Sequence, residues 1–200
     1  MNDLNAPKHN AFATDGPGIG KTEQGSKGWL LVLSAAVVML ATLPGRTQGL
    51  GLITEPLLND LHVDRVLFAN INLWASLIGA IFCLPAGIMF DRYGLRWPTA
   101  IITALLAIVV GAFSLIGSSI IVLFLLLTAT RGLGQSALSV ASITAVGRRY
   151  GNQAGMPMAV FSVLISVFFA LAFVGIGYGV RASGWRTAWQ QIAVGLVVVA

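Results

Sequence analysis

Two arginines interrupt the long apolar stretches of this chain and are the residues best suited to chemistry. Arg46 stands near the middle of the first stretch and Arg131 near the middle of the fourth. A guanidinium is permanently charged, and its planar fork of donors fits carboxylate, nitrate or phosphate oxygens. Neither arginine has an obvious acidic partner, since Glu55 follows Arg46 by nine positions, about 13 Å along a helix axis. We predict that both bind a small anion, with Gln135, one turn beyond Arg131, as a neutral donor.

The composition indicates that most of the chain does not face water. Hydrophobic residues make up 56% of the sequence and charged residues 10%, with a mean hydropathy of +0.85, whereas soluble domains carry about 25% charged residues. The formal charge of +5 does not indicate a nucleic-acid partner, because the basic residues stand at the ends of apolar runs and form no patch with aromatic residues.

Nothing in the sequence favours an enzyme. The single cysteine, Cys83, lies in an apolar run and excludes an internal disulfide or a multi-cysteine metal site. The apolar part has no His-rich metal spacing, no Gly-x-Ser-x-Gly turn and no pair of carboxylates. We therefore expect no catalytic residues, no metal and no cofactor.

Five apolar segments are long enough to cross a membrane as helices, which takes roughly 20 residues. A sixth is still apolar at Ala200, and because residues 186–200 rise only roughly 21 Å as a helix, we expect this helix to be incomplete. The third segment carries no charged residue on any face, and such a helix is stable only within lipid or protein. We predict an all-α fold, a polytopic membrane helix bundle. The expected helices are residues 28–58, 66–90, 97–117, 119–146, 156–180 and 185–200, and the first is long enough to tilt or to bend at Pro44.

A short polar connection between the second and third segments holds further residues of interest. It reads Gly87-Ile88-Met89-Phe90-Asp91-Arg92-Tyr93-Gly94-Leu95-Arg96 and contains the only acidic residue from Val66 to Ala200. Asp91 could cap a helix start or pair with an arginine of a neighbouring helix. Gly87 and Gly94 would let the turn close tightly. The alternative is that these residues only fix the topology.

This connection resembles the loop signature between the second and third helices of the major facilitator superfamily, Gly-x-x-x-Asp-Arg-x-Gly-x-Arg. It departs from the family at Leu95, where a basic residue is usual. Arg131 and the glycines after it resemble the fourth-helix motif of the same superfamily. The resemblance covers the chain from about residue 28 to residue 200, and it implies the N-terminal six-helix half of a twelve-helix transporter.

The resemblance also implies roles for individual residues. In the family this loop is a latch that stabilises one face of the transporter and breaks when the cavity opens inward. Asp91 would be the latch carboxylate, with Arg148 or Arg149 at the end of the fourth helix as its partner. Arg131 has an alternative role, because in the family this position often braces the first helix through backbone carbonyls. The implied latch residues are Gly87, Asp91, Arg92, Gly94 and Arg96.

From this resemblance and the two arginines we predict secondary transport, by alternating access, of a small organic or inorganic anion. One alternative is a transporter of neutral or cationic solutes, such as sugars or drugs, in which the arginines pair with acids of the second half. Another is a truncated or half-size membrane protein without transport activity alone. The expected partners are a small-molecule substrate, a coupling proton or ion, the lipid bilayer and the missing C-terminal six-helix half.

Residues 1–27 are polar and glycine-rich, and we expect a disordered cytoplasmic tail. With the N-terminus inside, seven basic residues fall on the cytoplasmic side and three outside, in the direction of the positive-inside rule. We therefore predict an integral protein of the plasma (inner) membrane whose helical bundle spans residues 28–200. The cytoplasmic basic residues are Lys8, Lys21, Lys27, Arg92, Arg96, Arg148 and Arg149, and the outer ones are Arg65, Arg181 and Arg186.

Overall fold

The computed structural model describes residues 20–200, with side chains from Gly28 onward, and every regular element in this range is helical. The all-α prediction is therefore confirmed. The predicted tail lies outside the described residues up to position 19, and α1 begins at Gly20 rather than near Gly28. The helices are α1 Gly20–Ala41, α2 Thr47–Gly51, α3 Thr54–Leu61, α4 Arg65–Ile81, α5 Cys83–Tyr93, α6 Arg96–Ser114, α7 Ile120–Thr130, a π-helix Arg131–Leu138, α8 Ser139–Tyr150 and α9 Gly155–Val199, with 3₁₀ turns at Leu43–Gly45 and Gly151–Gln153.

The first apolar segment is not a single bent helix but consists of separate helices connected by a short joint. Helix α1 ends at Ala41, a 3₁₀ turn follows around Pro44, and Arg46 has an extended backbone (φ −93°, ψ 152°) before α2 begins. Proline cannot donate a backbone hydrogen bond and disfavours the helical conformation of the residue before it. The joint frees backbone carbonyls in the interior of the bundle, where side chains of other helices can reach them.

Within the described residues, four helical stretches are long and apolar enough to cross a membrane: Arg65–Tyr93, Arg96–Ser114, Ile120–Gln153 and Gly155–Val199. The first three coincide with the expected second, third and fourth helices to within a few residues at the N-terminal ends. The fourth covers the expected fifth and sixth helices together. The predicted total of six crossings stays a prediction.

Helix α9 is interrupted at Gly184, whose backbone (φ 81°, ψ 161°) is outside the helical region. A Cβ at Gly179 would lie 3.8 Å from the Cβ of Ala188, although nine positions of straight helix span about 13 Å. The two parts, residues 155–183 and 185–199, therefore fold back on each other. Only glycine adopts such a conformation readily, so Gly184 forms the corner between them.

A polar cluster at one end of the bundle holds this corner in place. Asp60 Oδ2 accepts hydrogen bonds from Trp185 Nε1 (3.1 Å) and Arg186 Nε (2.9 Å). Arg186 Nη1 also donates to the carbonyl oxygen of Ser114 at the end of α6 (2.8 Å). The Trp185 indole packs edge-on against Phe113, with 6.4 Å between ring centroids. The cluster joins α3, α6 and the second part of α9.

The outer faces of the bundle are strongly apolar. Large hydrophobic side chains are exposed at four- or three-residue intervals along α4 and α5, which is the pattern of a continuous apolar helix face. In a chain that spans a membrane, such faces meet lipid or other helices. The exposed side chains of this stripe are Leu73, Leu77, Ile81, Leu84 and Ile88.

Candidate functional site

Arg131 lies in the interior of the bundle, with 1% of its surface exposed. Its Nη1 donates to the carbonyl oxygen of Gly45 (3.1 Å), to Thr47 Oγ1 (3.1 Å) and to Gln135 Oε1 (2.6 Å). Its Nη2 donates to Asn72 Oδ1 at 2.5 Å. All four partners are neutral oxygens. Among residues 28–200 no carboxylate forms an ion pair with this guanidinium.

Close backbone approaches allow Arg131 to reach the first segment and α4. A Cβ at Gly79 would lie 2.7 Å from the Cβ of Arg131, and a Cβ at Gly45 would collide with the carbonyl oxygen of Thr130. The joint between α1 and α2 presents the Gly45 carbonyl to the guanidinium. The side chain thus ties three segments together, and this geometry favours the bracing role over direct binding of an anion.

Arg46 lies at the joint itself and is only partly buried. Its Nε donates to Thr42 Oγ1 (2.7 Å), and its Nη2 donates to Ser139 Oγ (2.9 Å) and contacts Met39 Sδ (3.1 Å). The Phe169 ring of α9 covers one face of the guanidinium, with 5.4 Å from Cζ to the ring centroid. Here too the described partners are neutral, and the charge is stabilised by hydroxyl dipoles and by a cation–π contact.

The helical stretch from Arg131 to Ser139 links the two arginines, because it carries Arg131 and also contacts Arg46. Arg131, Gln135 and Ser139 follow one another at four-residue spacing; Gln135 accepts from Arg131, and Ser139 accepts from Arg46. The backbones are also close, since a Cβ at Gly45 would lie 3.1 Å from the backbone nitrogen of Gln135. We call Arg46, Arg131, Gln135 and Ser139 the arginine cluster. The sequence hypothesis placed the first three in one site, and the structure brings them together.

The hydrogen bonds of Arg131 also orient two amide side chains. Because Gln135 and Asn72 each use their carbonyl oxygen to accept from Arg131, the NH₂ group of each must point away from it. Gln135 is exposed and Asn72 half-buried. The NH₂ group of Gln135 is therefore not used by Arg131, and its role as a donor to an anion stays a prediction.

The sequence hypothesis did not include the other side chains that contact the two arginines, which are Met39, Thr42, Thr47, Asn72, Ser139 and Phe169. Ser139 has a local signal, because it stands one turn beyond Gln135 on the same face. Thr42 also has one, since it stands one turn before Arg46. Asn72 is a polar residue within the expected second helix, and Phe169 has no local signal at all, because it lies on α9, more than a hundred positions from Arg46.

The latch residues form a second site, where the C-terminal ends of α5 and α8 meet. Asp91 lies in the last turn of α5 and forms an ion pair with Arg148 of α8, whose Nη1 also donates to the carbonyl oxygen of Phe90 (3.2 Å). Of the two partners expected from the sequence, Arg148 makes the contact. In the described part of the chain Arg149, like Arg92 and Arg96, is exposed and has no ion-pair partner.

Two details of the loop differ from expectation. Asp91 caps no helix start, because it belongs to the end of α5 and Leu95 occupies the position before α6. Gly87 is not a turn residue, since it lies inside α5 where an added Cβ would meet no atom within 4 Å. Gly94 does form the turn, with a φ of 74° that favours glycine. The latch role of these residues stays a prediction.

Comparison with known proteins adds one finding. The family model described as Major Facilitator Superfamily matches residues 29–200. No curated protein and no solved structure matches the chain. Among the described residues, no group of three or more His, Cys, Asp or Glu side chains is arranged to hold a metal ion.

Proposed function

The chain belongs to the major facilitator superfamily, and from that premise we propose that it is a secondary transporter that moves a small anion by alternating access. Proteins of this superfamily are membrane transporters with the substrate site near the bilayer midplane, at the interface of two six-helix halves. The chain has the apolar helices of such a protein. We expect a second half to complete the cavity, and we expect no enzymatic activity.

The observation that carries the anion proposal is the charge of the arginine cluster. Two guanidinium groups lie within the apolar bundle, and their partners among the described residues are all neutral. An arginine at the centre of a membrane costs at least ~2.5–3.5 kcal/mol on insertion scales, so it is normally functional. A positive site without a counter-charge attracts anions and repels cations.

We further propose a plasma-membrane location with the N-terminus in the cytoplasm. The distribution of basic residues, seven on the N-terminal side against three on the other, supports this orientation. It places the Asp91–Arg148 ion pair at the cytoplasmic surface, where a latch would close the cavity on its cytoplasmic side. Opening toward the cytoplasm would then require this pair to break.

The test is uptake of radiolabelled anions by vesicles that contain the full transporter, compared with uptake of a neutral sugar. We expect Arg46→Gln to lower anion uptake at least tenfold, since it removes the charge of the partly buried arginine. Arg65→Gln is the matched control, because Arg65 is exposed and pairs with Glu55 away from the cluster. Unchanged anion uptake by Arg46→Gln would contradict the proposal, and sugar uptake that depends on Arg46 would favour the neutral-solute alternative.

A further inference from the structure

We propose that the transported anion is a monovalent carboxylate with a short apolar substituent. This inference rests on the proposed function, because it assumes that the arginine cluster binds the substrate. It follows from three properties of the cluster: the number of accessible charges, the positions of the remaining donors and the chemistry of the neighbouring surface.

The cluster offers one accessible positive charge rather than two. Arg131 is almost fully buried and already donates to four oxygens, so an anion cannot reach its terminal nitrogens without breaking those bonds. Arg46 is only partly buried. Of the two negative charges of a dianion bound at Arg46, only one would contact a cation, because Arg131 is separated from the anion by its own oxygen partners and attracts it only over a longer distance. One accessible cation therefore selects a monoanion.

The remaining donors fit a carboxylate. A guanidinium has five N–H donors, and Thr42, Ser139 and Met39 occupy those on Nε and Nη2 of Arg46. The two hydrogens of Nη1 have no partner among residues 28–200. Phe169 covers one face of the group, and the remaining N–H donors point outward in the guanidinium plane, where a carboxylate accepts from them. Gln135 stands one turn before Ser139, which contacts Arg46, and we take its NH₂ group, which is not used by Arg131, as a second donor for the anion.

The surface next to Arg46 is apolar and aromatic. Phe169 and Phe173 are adjacent on α9, with ring centroids 6.2 Å apart, and both are only partly buried. Met39 borders the guanidinium from α1. An alkyl group attached to the bound carboxylate would pack on this surface and leave water. Sulfate, phosphate and nitrate have no such group and would gain nothing from it.

The experiment measures competition for uptake of radiolabelled pyruvate by vesicles that contain the full transporter, together with thermal stabilisation of the purified protein by each ligand. The competitors are formate, 2-oxobutyrate and 2-oxovalerate, which share one charge but differ in apolar length, then oxalate, succinate, sulfate, nitrate and the neutral pyruvamide. We expect each added methylene to tighten binding about fourfold. We expect the dianions and pyruvamide to bind at least tenfold more weakly than pyruvate.

Phe169→Ala separates the apolar contribution from the charge. We expect the affinity of this variant not to increase with the length of the ligand's apolar substituent, and its affinity for formate and nitrate to equal that of the wild type. Phe169→Leu should keep part of the increase. If dianions bind best, or chain length has no effect while Arg46 is still required, the monocarboxylate inference is wrong and the proposed function stands. If no anion stabilises the protein and Arg46→Gln changes nothing, the proposed function fails and the inference with it.

Discussion

The guanidinium of Arg46 donates to the hydroxyl of Ser139 over 2.9 Å, although the two residues are 93 positions apart. This bond joins the break in the first apolar segment to α8, the helix that follows the π-helix. The partly buried charge is thus held by a side chain that the sequence hypothesis did not include. The arrangement leads to four predictions.

Ser139→Ala should weaken anion binding without unfolding the protein. Loss of one hydrogen bond to a charged group is expected to raise KM about tenfold, with a smaller effect on kcat. Initial rates of uptake over a range of substrate concentrations give this comparison. Ser166→Ala is the matched control, because that hydroxyl is exposed and donates only to a carbonyl of its own helix, that of Ser162. An equal rise in KM for both variants would count against the role of Ser139.

Arg131→Met should destabilise the bundle more than it changes ligand selectivity. The substitution leaves the Gly45 carbonyl and the oxygens of Thr47, Gln135 and Asn72 without their donor, and each polar group left buried without a partner costs about 1–3 kcal/mol. Thermal unfolding in mild detergent measures the effect. Arg149→Gln, at an exposed position, should stay within about 0.5 kcal/mol of the wild type. A stable Arg131→Met protein would show that the brace is dispensable.

Asp91→Asn should change the conformational equilibrium more than the stability. The Asp91 and Arg148 side chains are 70% and 46% exposed, and such pairs contribute about 0–1 kcal/mol to stability. If the pair is a latch, its loss increases the accessibility of a cysteine introduced in the cavity to reagents added on the cytoplasmic side. Reversal of the pair, Asp91→Arg with Arg148→Asp, should restore the wild-type accessibility. Single variants that match the wild type would leave the pair without a gating role.

Gly132→Ala should be destabilising, whereas Gly87→Ala should not. A Cβ at position 132 would lie 2.6 Å from the Phe82 ring, and overpacking of this kind costs about 1–3 kcal/mol. A Cβ at position 87 would meet no atom within 4 Å, and alanine is favoured over glycine inside a helix by about 0.5–1 kcal/mol. Thermal unfolding of the two variants gives opposite shifts. Gly132→Ala combined with Phe82→Leu should recover part of the loss.

Much of the fold could be predicted from the sequence because it depends on local properties. An apolar run of about 20 residues predicts a membrane helix wherever it occurs, and the bounds expected for the second to fourth helices agree closely with the structure at their N-terminal ends. The loop around Asp91 and the motif at Arg131 indicated the superfamily, which the family match confirms. Pro44 marked the break in the first segment, although its extent, including the extended backbone at Arg46, was not foreseen.

The partners of the charged side chains could not be predicted in this way. Arg131 reaches Asn72 across 59 positions, and Arg148 reaches Asp91 across 57. Which of Arg148 and Arg149 makes the contact depends on the rotation of α8 about its axis, and this rotation is set by packing against other helices. The same holds for Phe169, which contacts Arg46 only because α9 packs against α1.

The sequence by itself determined the number and type of charges placed in the apolar part of this protein: two arginines in long apolar segments and one acidic residue after position 65. Only the tertiary structure decided which partners each arginine has and how accessible its charge is. Arg131 is enclosed by four neutral oxygens, whereas Arg46 keeps donors beside an aromatic surface. Charge is a property of single residues, but accessibility depends on which helices meet, and close packing at glycines such as Gly79 and Gly45 settles that.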